Sequence, residues 1–269
     1  DTYAQKQRLS SGYASPGEHF WQHSQECDWT QRLPRTLTYL RLPTSNYFSM
    51  KSDGSDALGF EYLENLRTLI IDHRLQWIGT EHNTLALPAS LEFLTIPHNC
   101  KVMDLSRAVK MKELQVGLGY SASTLYPPNL ISLSLYAEDS TPPEQIVSAL
   151  PPTLQRLAIL GLEVPREIAA SLPRGLKDLK IGSTNIDLKG LPPGLQTLSL
   201  GQDSLDTMTH HIMNHAIGWR AFPRVTFGDL PRGLKSLYYS ITEFLDDDRG
   251  IDMPPNLQFL YLPLCNVTE

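Results

Sequence analysis

Three histidines crowded into six residues, His210, His211 and His215, are the group in this 269-residue chain whose types and spacing most suggest chemistry. His211 and His215 stand four apart, so on a helix they share a face and two imidazoles can hold one metal ion. A closed site needs further ligands, and the nearest are Asp206 and Asn214, so the plainer reading is a polar helix face. Asp246-Asp247-Asp248 can catch a cation, but such a charge run is ordinarily a solvated loop. The sequence has no glycine-rich phosphate loop, GxSxG elbow, CxxC pair or HExxH motif. The expectation is a chain with no cofactor, no metal and no catalytic residues. A metal-dependent enzyme using residues 210–215 is kept as an alternative.

The element that must position these histidines is a helix running from Asp203 to Gly218, with Leu205, Met208, Ile212, Met213 and Ala216 on a common face and acids near its start. Phe222 to Phe227 follows as a degenerate strand. This 203–229 segment interrupts a repeat and is either an insertion or a worn copy of it. The repeat is Leu-Pro-x-x-Leu-x-x-Leu-x-Leu, seen most clearly in Leu191 to Leu200 (LPPGLQTLSL). Clear copies begin at Leu33, Leu87, Tyr126, Leu150, Leu172, Leu191, Leu230 and Met253, and weaker ones without proline at Tyr62 and Arg107. Their starts are separated by 29, 25, 20, 19, 24, 22, 19, 39 and 23 residues. A period of this size is the mark of a solenoid, and the 39 is its exception.

Leu-x-Leu has period two, so Leu198 and Leu200 point to one side of a short strand and Ser199 to the other. One such coil cannot bury its leucines alone, whereas stacked coils bury them against each other. Proline fixes φ and lacks an N–H, which suits the approach to a strand, and the Pro-Gly and Pro-Asn pairs favour a turn there. The expected architecture is an α/β solenoid with one curved parallel sheet on the concave face and short helical or irregular segments on the convex face. Residues 33–269 form the solenoid of about ten repeats. Residues 1–32 lack the frame and form an N-terminal cap, with Phe20, Trp21 and Trp29 available to cover the first repeat.

The units resemble the LRR (leucine-rich repeat) domains of the YopM and IpaH type, proteins that Gram-negative pathogens inject into host cells and whose repeats open with Leu-Pro-x-x-Leu. The resemblance covers roughly residues 33 to 267. It implies an effector-like recognition scaffold; the ubiquitin-ligase domain that some of these proteins carry has no counterpart in this sequence. Those repeats are regular and place an asparagine after the strand, where this chain has only Asn99. The carbonyls that an asparagine ladder would satisfy therefore need other partners.

Function is expected on the outward positions of the strands. One column reads Tyr39, Thr68, Phe93, Glu113, Ser132, Arg156, Asp178, Thr197, Ser236, Phe259. The other reads Arg41, Ile70, Thr95, Gln115, Ser134, Ala158, Lys180, Ser199, Tyr238, Tyr261. Aromatic residues gather at both ends and charges near the centre. Tyr39, Arg41, Phe93, Gln115, Arg156, Asp178, Lys180, Tyr238, Phe259 and Tyr261 are the candidate contacts for a protein or peptide partner, aromatic residues and arginine being common interface anchors. A structural subunit of a larger assembly is the second alternative.

A formal charge of −6 argues against nucleic acid as the main partner, and no apolar run approaches a membrane span. The chain opens on Asp1 with no basic and apolar leader, so a signal peptide is absent or removed. Cys27, Cys100 and Cys265 fall several rungs apart, too far for disulfides, and free thiols favour the cytoplasm, that of a host included. The sequon Asn266-Val267-Thr268 points towards secretion. Residues 43–61, with a polar stretch at Ser52 to Asp56, read as a solvent loop. Oligomeric state has no signature.

Overall fold

The computed structural model describes residues 33–42, 57–71, 84–100, 105, 108–118, 126–137, 150–160, 164, 166–182, 186–201, 229–239 and 253–261. Each of the ten units ends in a strand. In chain order the strands are β1 (Tyr39–Leu42), β2 (Ala57–Gly59), β3 (Thr68–Ile71), β4 (Thr84–Ala86), β5 (Phe93–Cys100), β6 (Glu113–Leu118), β7 (Ser132–Ala137), β8 (Arg156–Leu160), β9 (Asp178–Ile181), β10 (Thr197–Leu200), β11 (Ser236–Tyr239) and β12 (Phe259–Tyr261). All but β2 and β4 form one ten-stranded parallel sheet in the order of the chain. Leu157, Leu179, Leu198 and Leu237 are register partners from β8 to β11, as the repeat requires.

The approach to every strand of the ten-stranded sheet is built the same way. The proline carbonyl accepts the N–H of the leucine three residues on, as in Leu195 N–H to Pro192 O at 3.1 Å and Leu234 N–H to Pro231 O at 3.0 Å. The two units without proline make the same bond, Leu66 to Leu63 at 2.9 Å and Met111 to Ala108 at 2.9 Å, so proline favours this β-turn without being required for it. Two consecutive N–H groups then converge on one carbonyl of the preceding coil. Gln196 and Thr197 both donate to Lys177 O, and Lys235 and Ser236 both donate to Gln196 O. Repeated at every junction, this locks the register before the strand begins.

Leu195 and Leu198 are fully buried and Leu200 is 1% exposed, and the corresponding residues of the other inner coils are equally dry. One cluster runs from Leu42 to Tyr239. Gly201 ends β10 with φ 98°, a left-handed conformation that favours glycine, while its N–H still reaches Ile181 O at 3.0 Å. On the opposite side of the core, two 3₁₀ helices (Arg166–Ser171 and Leu188–Gly190) pack on each other. Asp187 caps the second by accepting the Lys189 N–H at 3.1 Å. No α-helix occurs among the described residues.

One expectation changes. Residues 43–61 are not simply a solvent loop, because β2 pairs in parallel with β4 and Phe60 is fully buried. A three-residue strand has too little pattern to stand out in sequence, which is why the turn-rich residues before it dominated the reading. A different ladder, not the after-strand asparagine ladder whose absence is expected, runs along the turns. The third turn residue of one coil donates to the turn carbonyls of the coil before it. Asn65 reaches Arg35 O (3.1 Å), Asn129 reaches Val109 O (3.0 Å) and Asn256 reaches Arg232 O (3.1 Å). Ser90 bonds Leu66 O (2.8 Å), and Thr153 bonds both Pro128 O (3.0 Å) and Leu130 O (2.9 Å).

Glycine takes this place in three consecutive coils, at Gly175, Gly194 and Gly233. A Cβ on Gly233 would lie 3.6 Å from Pro193 O and 3.7 Å from Leu195 O, ordinary contact with the two carbonyls that the ladder would reach. Gly233→Asn should therefore stabilise the fold by about 1 kcal/mol, combining lower unfolded-chain entropy with a new hydrogen bond. A urea titration reads this as a higher midpoint; a lower one would mean that the ladder contributes nothing there.

Candidate functional site

The strand residues that face away from the leucines form the two columns expected, aligned across the sheet. Ser132, Arg156, Asp178, Thr197, Ser236 and Phe259 are successive register partners, as are Ser134, Ala158, Lys180, Ser199, Tyr238 and Tyr261. Neighbouring members lie about 4.8 Å apart, the spacing of strands. Between β7 and β11 the face sinks into an open trough of about 370 Å³. Ser132, Ser134, Ala158, Thr197 and Ser199 make a floor of small side chains, with Arg156, Asp178, Lys180 and Tyr238 rising from it. Arg156, Asp178, Lys180 and Tyr238 are thus brought together. Tyr39, Arg41 and Phe93 lie on β1 and β5, away from the trough, whereas Gln115 on β6 is the register neighbour of Ser134 at its edge and accepts a hydrogen bond from Thr95 at 3.4 Å.

The charges are not equivalent. Arg156 reaches over the small Ser132 to Glu113, two strands away, with Nη2 donating to Oε1 at 2.7 Å. Its positive charge is therefore offset, although so exposed a pair contributes little to stability. Asp178 and Lys180, two apart on β9, form no ion pair within 4 Å among the described residues. At the far side Tyr238 stacks obliquely on Phe259, with ring centroids 5.0 Å apart, and on Tyr261 at 6.2 Å. Phe259 is still 46% exposed and offers apolar surface beside the trough.

A third column, just before each strand, was not singled out from sequence. It reads Thr38, Arg67, Glu92, Lys112, Ile131, Gln155, Lys177, Gln196, Lys235 and Gln258. Its legible signal was the run Arg67, Glu92, Lys112 of alternating sign, visible only once the coils are aligned. Lys112 Nζ donates to Glu92 Oε2 at 3.0 Å, and Arg67 lies 3.7 Å from Oε1. The Lys112 hydrogen bond, more than its charge or that of Arg67, holds the Glu92 carboxyl below its ordinary value. Glu92 therefore favours the folded state above the unfolded carboxylate range, and that contribution is lost as pH falls through its lowered value. Lys112→Met should raise the Glu92 pKa in an NMR titration, and an unchanged value would break the pairing.

The histidines His210, His211 and His215, the residues of the 203–229 segment up to 228, the N-terminal 1–32, Cys27, Cys265 and the aspartates 246–248 lie outside the described residues. Among the described residues no group of three metal-binding side chains occurs, and no helix is long and apolar enough to cross a membrane.

What decides the architecture is one parallel strand per coil, each sending its leucines into a shared dry interior. The fold is the leucine-rich repeat solenoid. The chain is similar in structure to CroV588, described as a circular LRR protein, at 18% identity and a TM-score of 0.47, over 86% of this chain and 34% of that one. It is similar to the internalin InlF of Listeria monocytogenes (18% identity, TM-score 0.39, 75% of this chain and 62% of that one). It is also similar to YopM of Yersinia enterocolitica WA-314 (16%, TM-score 0.40, 98% of this chain and 55% of that one). The chain thus spans less than two thirds of each of these proteins. No family model and no curated protein matches it. LRR solenoids serve in general as protein-interaction scaffolds, because stacking leaves an extended surface free.

Proposed function

We propose that this LRR chain is a non-enzymatic recognition module that binds a protein or peptide segment along the outward face of its sheet. The trough across β7 to β11 carries this reading. Its small-residue floor lets a partner approach the sheet closely, Asp178 and Lys180 offer one charge of each sign, and Tyr238 with Phe259 and Tyr261 supplies an aromatic anchor. Aromatic anchors beside polar groups are where interfaces concentrate their energy.

Affinity capture from the native source with wild type and with Tyr238→Ala, followed by titration of the captured protein, tests it. Loss of an anchor aromatic should weaken binding by about 30-fold, the equivalent of 2 kcal/mol, and Lys180→Glu should weaken it further. A fixed stoichiometric complex indifferent to both changes would replace this reading with that of a structural subunit.

A further inference from the structure

The hexapeptide Leu-Pro-Arg-Gly-Leu-Lys occurs twice, at Leu172–Lys177 and Leu230–Lys235. The two copies precede β9 and β11, with the neutral Pro192-Pro193-Gly194-Leu195-Gln196 of the β10 coil between them. They place Arg174, Lys177, Arg232 and Lys235 on the turn edge of the solenoid, all four exposed. None forms an ion pair within 4 Å among the described residues. This sets them apart from Arg67 and Lys112 nearer β1, both of which lie against the carboxylate of Glu92. In a chain of net charge −6, these four exposed cations, with no ion-paired carboxylate among the described residues, make a locally basic edge.

The same coils are also where the turn ladder stops. Thr153 covers the carbonyls of Pro128 and Leu130, and Asn256 covers that of Arg232, but Gly175, Gly194 and Gly233 extend no side chain over the turns before them. A Cβ at Gly175 would stand 3.8 Å from both Pro152 O and Leu154 O, and nothing lies within 4 Å of one at Gly194. The edge there combines cations with backbone acceptors that no side chain of the next coil reaches.

We infer that this edge is a second docking surface, for an extended acidic peptide segment of a protein partner. Carboxylates meet the arginines and lysines, while the peptide's own N–H groups meet the turn carbonyls that the glycines leave bare. The two hexapeptides are two strands apart, roughly 10 Å, which matches the spacing of residues i and i+3 in an extended chain. A phosphate backbone has the anions but not the N–H donors, and the net negative charge of the chain works against its long-range attraction.

The probe is a fluorescein-labelled twelve-residue peptide with Glu at every third position and Gly or Ser between. Its controls are the same peptide with Gln for Glu, and single-stranded dT12. Wild type should bind the Glu peptide at least 10-fold tighter than the Gln peptide, more weakly as salt rises. Arg174→Glu with Arg232→Glu should reduce binding at least 10-fold, and the milder Arg174→Gln with Arg232→Gln should reduce it in the same direction, with far-UV circular dichroism matching wild type. Gly233→Asn, which changes no charge, should weaken binding several-fold while raising the urea midpoint. Equal affinity for the Glu and Gln peptides, indifference to these substitutions, or dT12 bound as tightly as the Glu peptide would each overturn the inference. Tyr238→Ala should leave this contact unchanged, so the edge and the trough succeed or fail separately.

Discussion

Leu198→Ala will destabilise the solenoid by about 3 kcal/mol, and Leu260→Ala, at the equivalent position of the last described strand, by well under half of that. Both leucines occupy the same column, linked through Leu237. Leu198 is fully buried between coils on either side, so truncation removes its transfer energy and leaves a cavity that close-packed neighbours cannot fill. Leu260 is 41% exposed and leaves a smaller gap. In a stack where each coil touches only its neighbours, damage in the middle weakens two junctions at once, so the Leu198 transition should also broaden. Urea unfolding followed by circular dichroism measures both. Equal losses at the two positions would mean that the leucines do not form one continuous interior.

The second large effect lies on the opposite side of the coil. Gly190→Val will cost about 2 kcal/mol, whereas Gly194→Val, four residues on, will cost almost nothing. A Cβ at Gly190 would meet Ala170 N at 3.0 Å and Ala169 Cβ at 3.1 Å, tighter than side chains normally accept. The first of these is backbone and cannot swing aside. Small residues, Ala169, Ala170 and Gly190, stand where the two 3₁₀ helices pack on each other. A Cβ at Gly194 would meet nothing within 4 Å. Paired thermal melts of the two variants decide it, and a Gly190 variant as stable as wild type would show that the helices can separate without loss.

Much of this architecture was legible because the strand and its core contacts are written in one short frame. Each strand begins six residues after the start of its unit, including the proline-free units at Tyr62 and Arg107, since the leucine spacing and not the proline determines what goes inward. The two outward columns followed from the same count. The turn ladder did not, because Asn65, Ser90, Asn129, Thr153 and Asn256 look like ordinary turn formers until the preceding coil is set beside them. The bond from Arg156 to Glu113 was hidden for the same reason: the residues are 43 apart in sequence and meet only across an intervening serine. The β2 and β4 pair was missed because three residues on each side carry no period.

The convergence of two N–H groups on one carbonyl at each junction has a bearing on how such a chain can change its length. The bond pattern that joins Lys177 to the β10 coil is the one that joins Gln196 to the β11 coil, although the unit starts at Leu191 and Leu230 are 39 residues apart and those at Leu172 and Leu191 only 19. The joint is the same whether 19 or 39 residues separate the unit starts. A coil added or removed, or a longer stretch between two coils, would therefore meet the same junction at either side, because each junction presents the same pair of donors and the same acceptor.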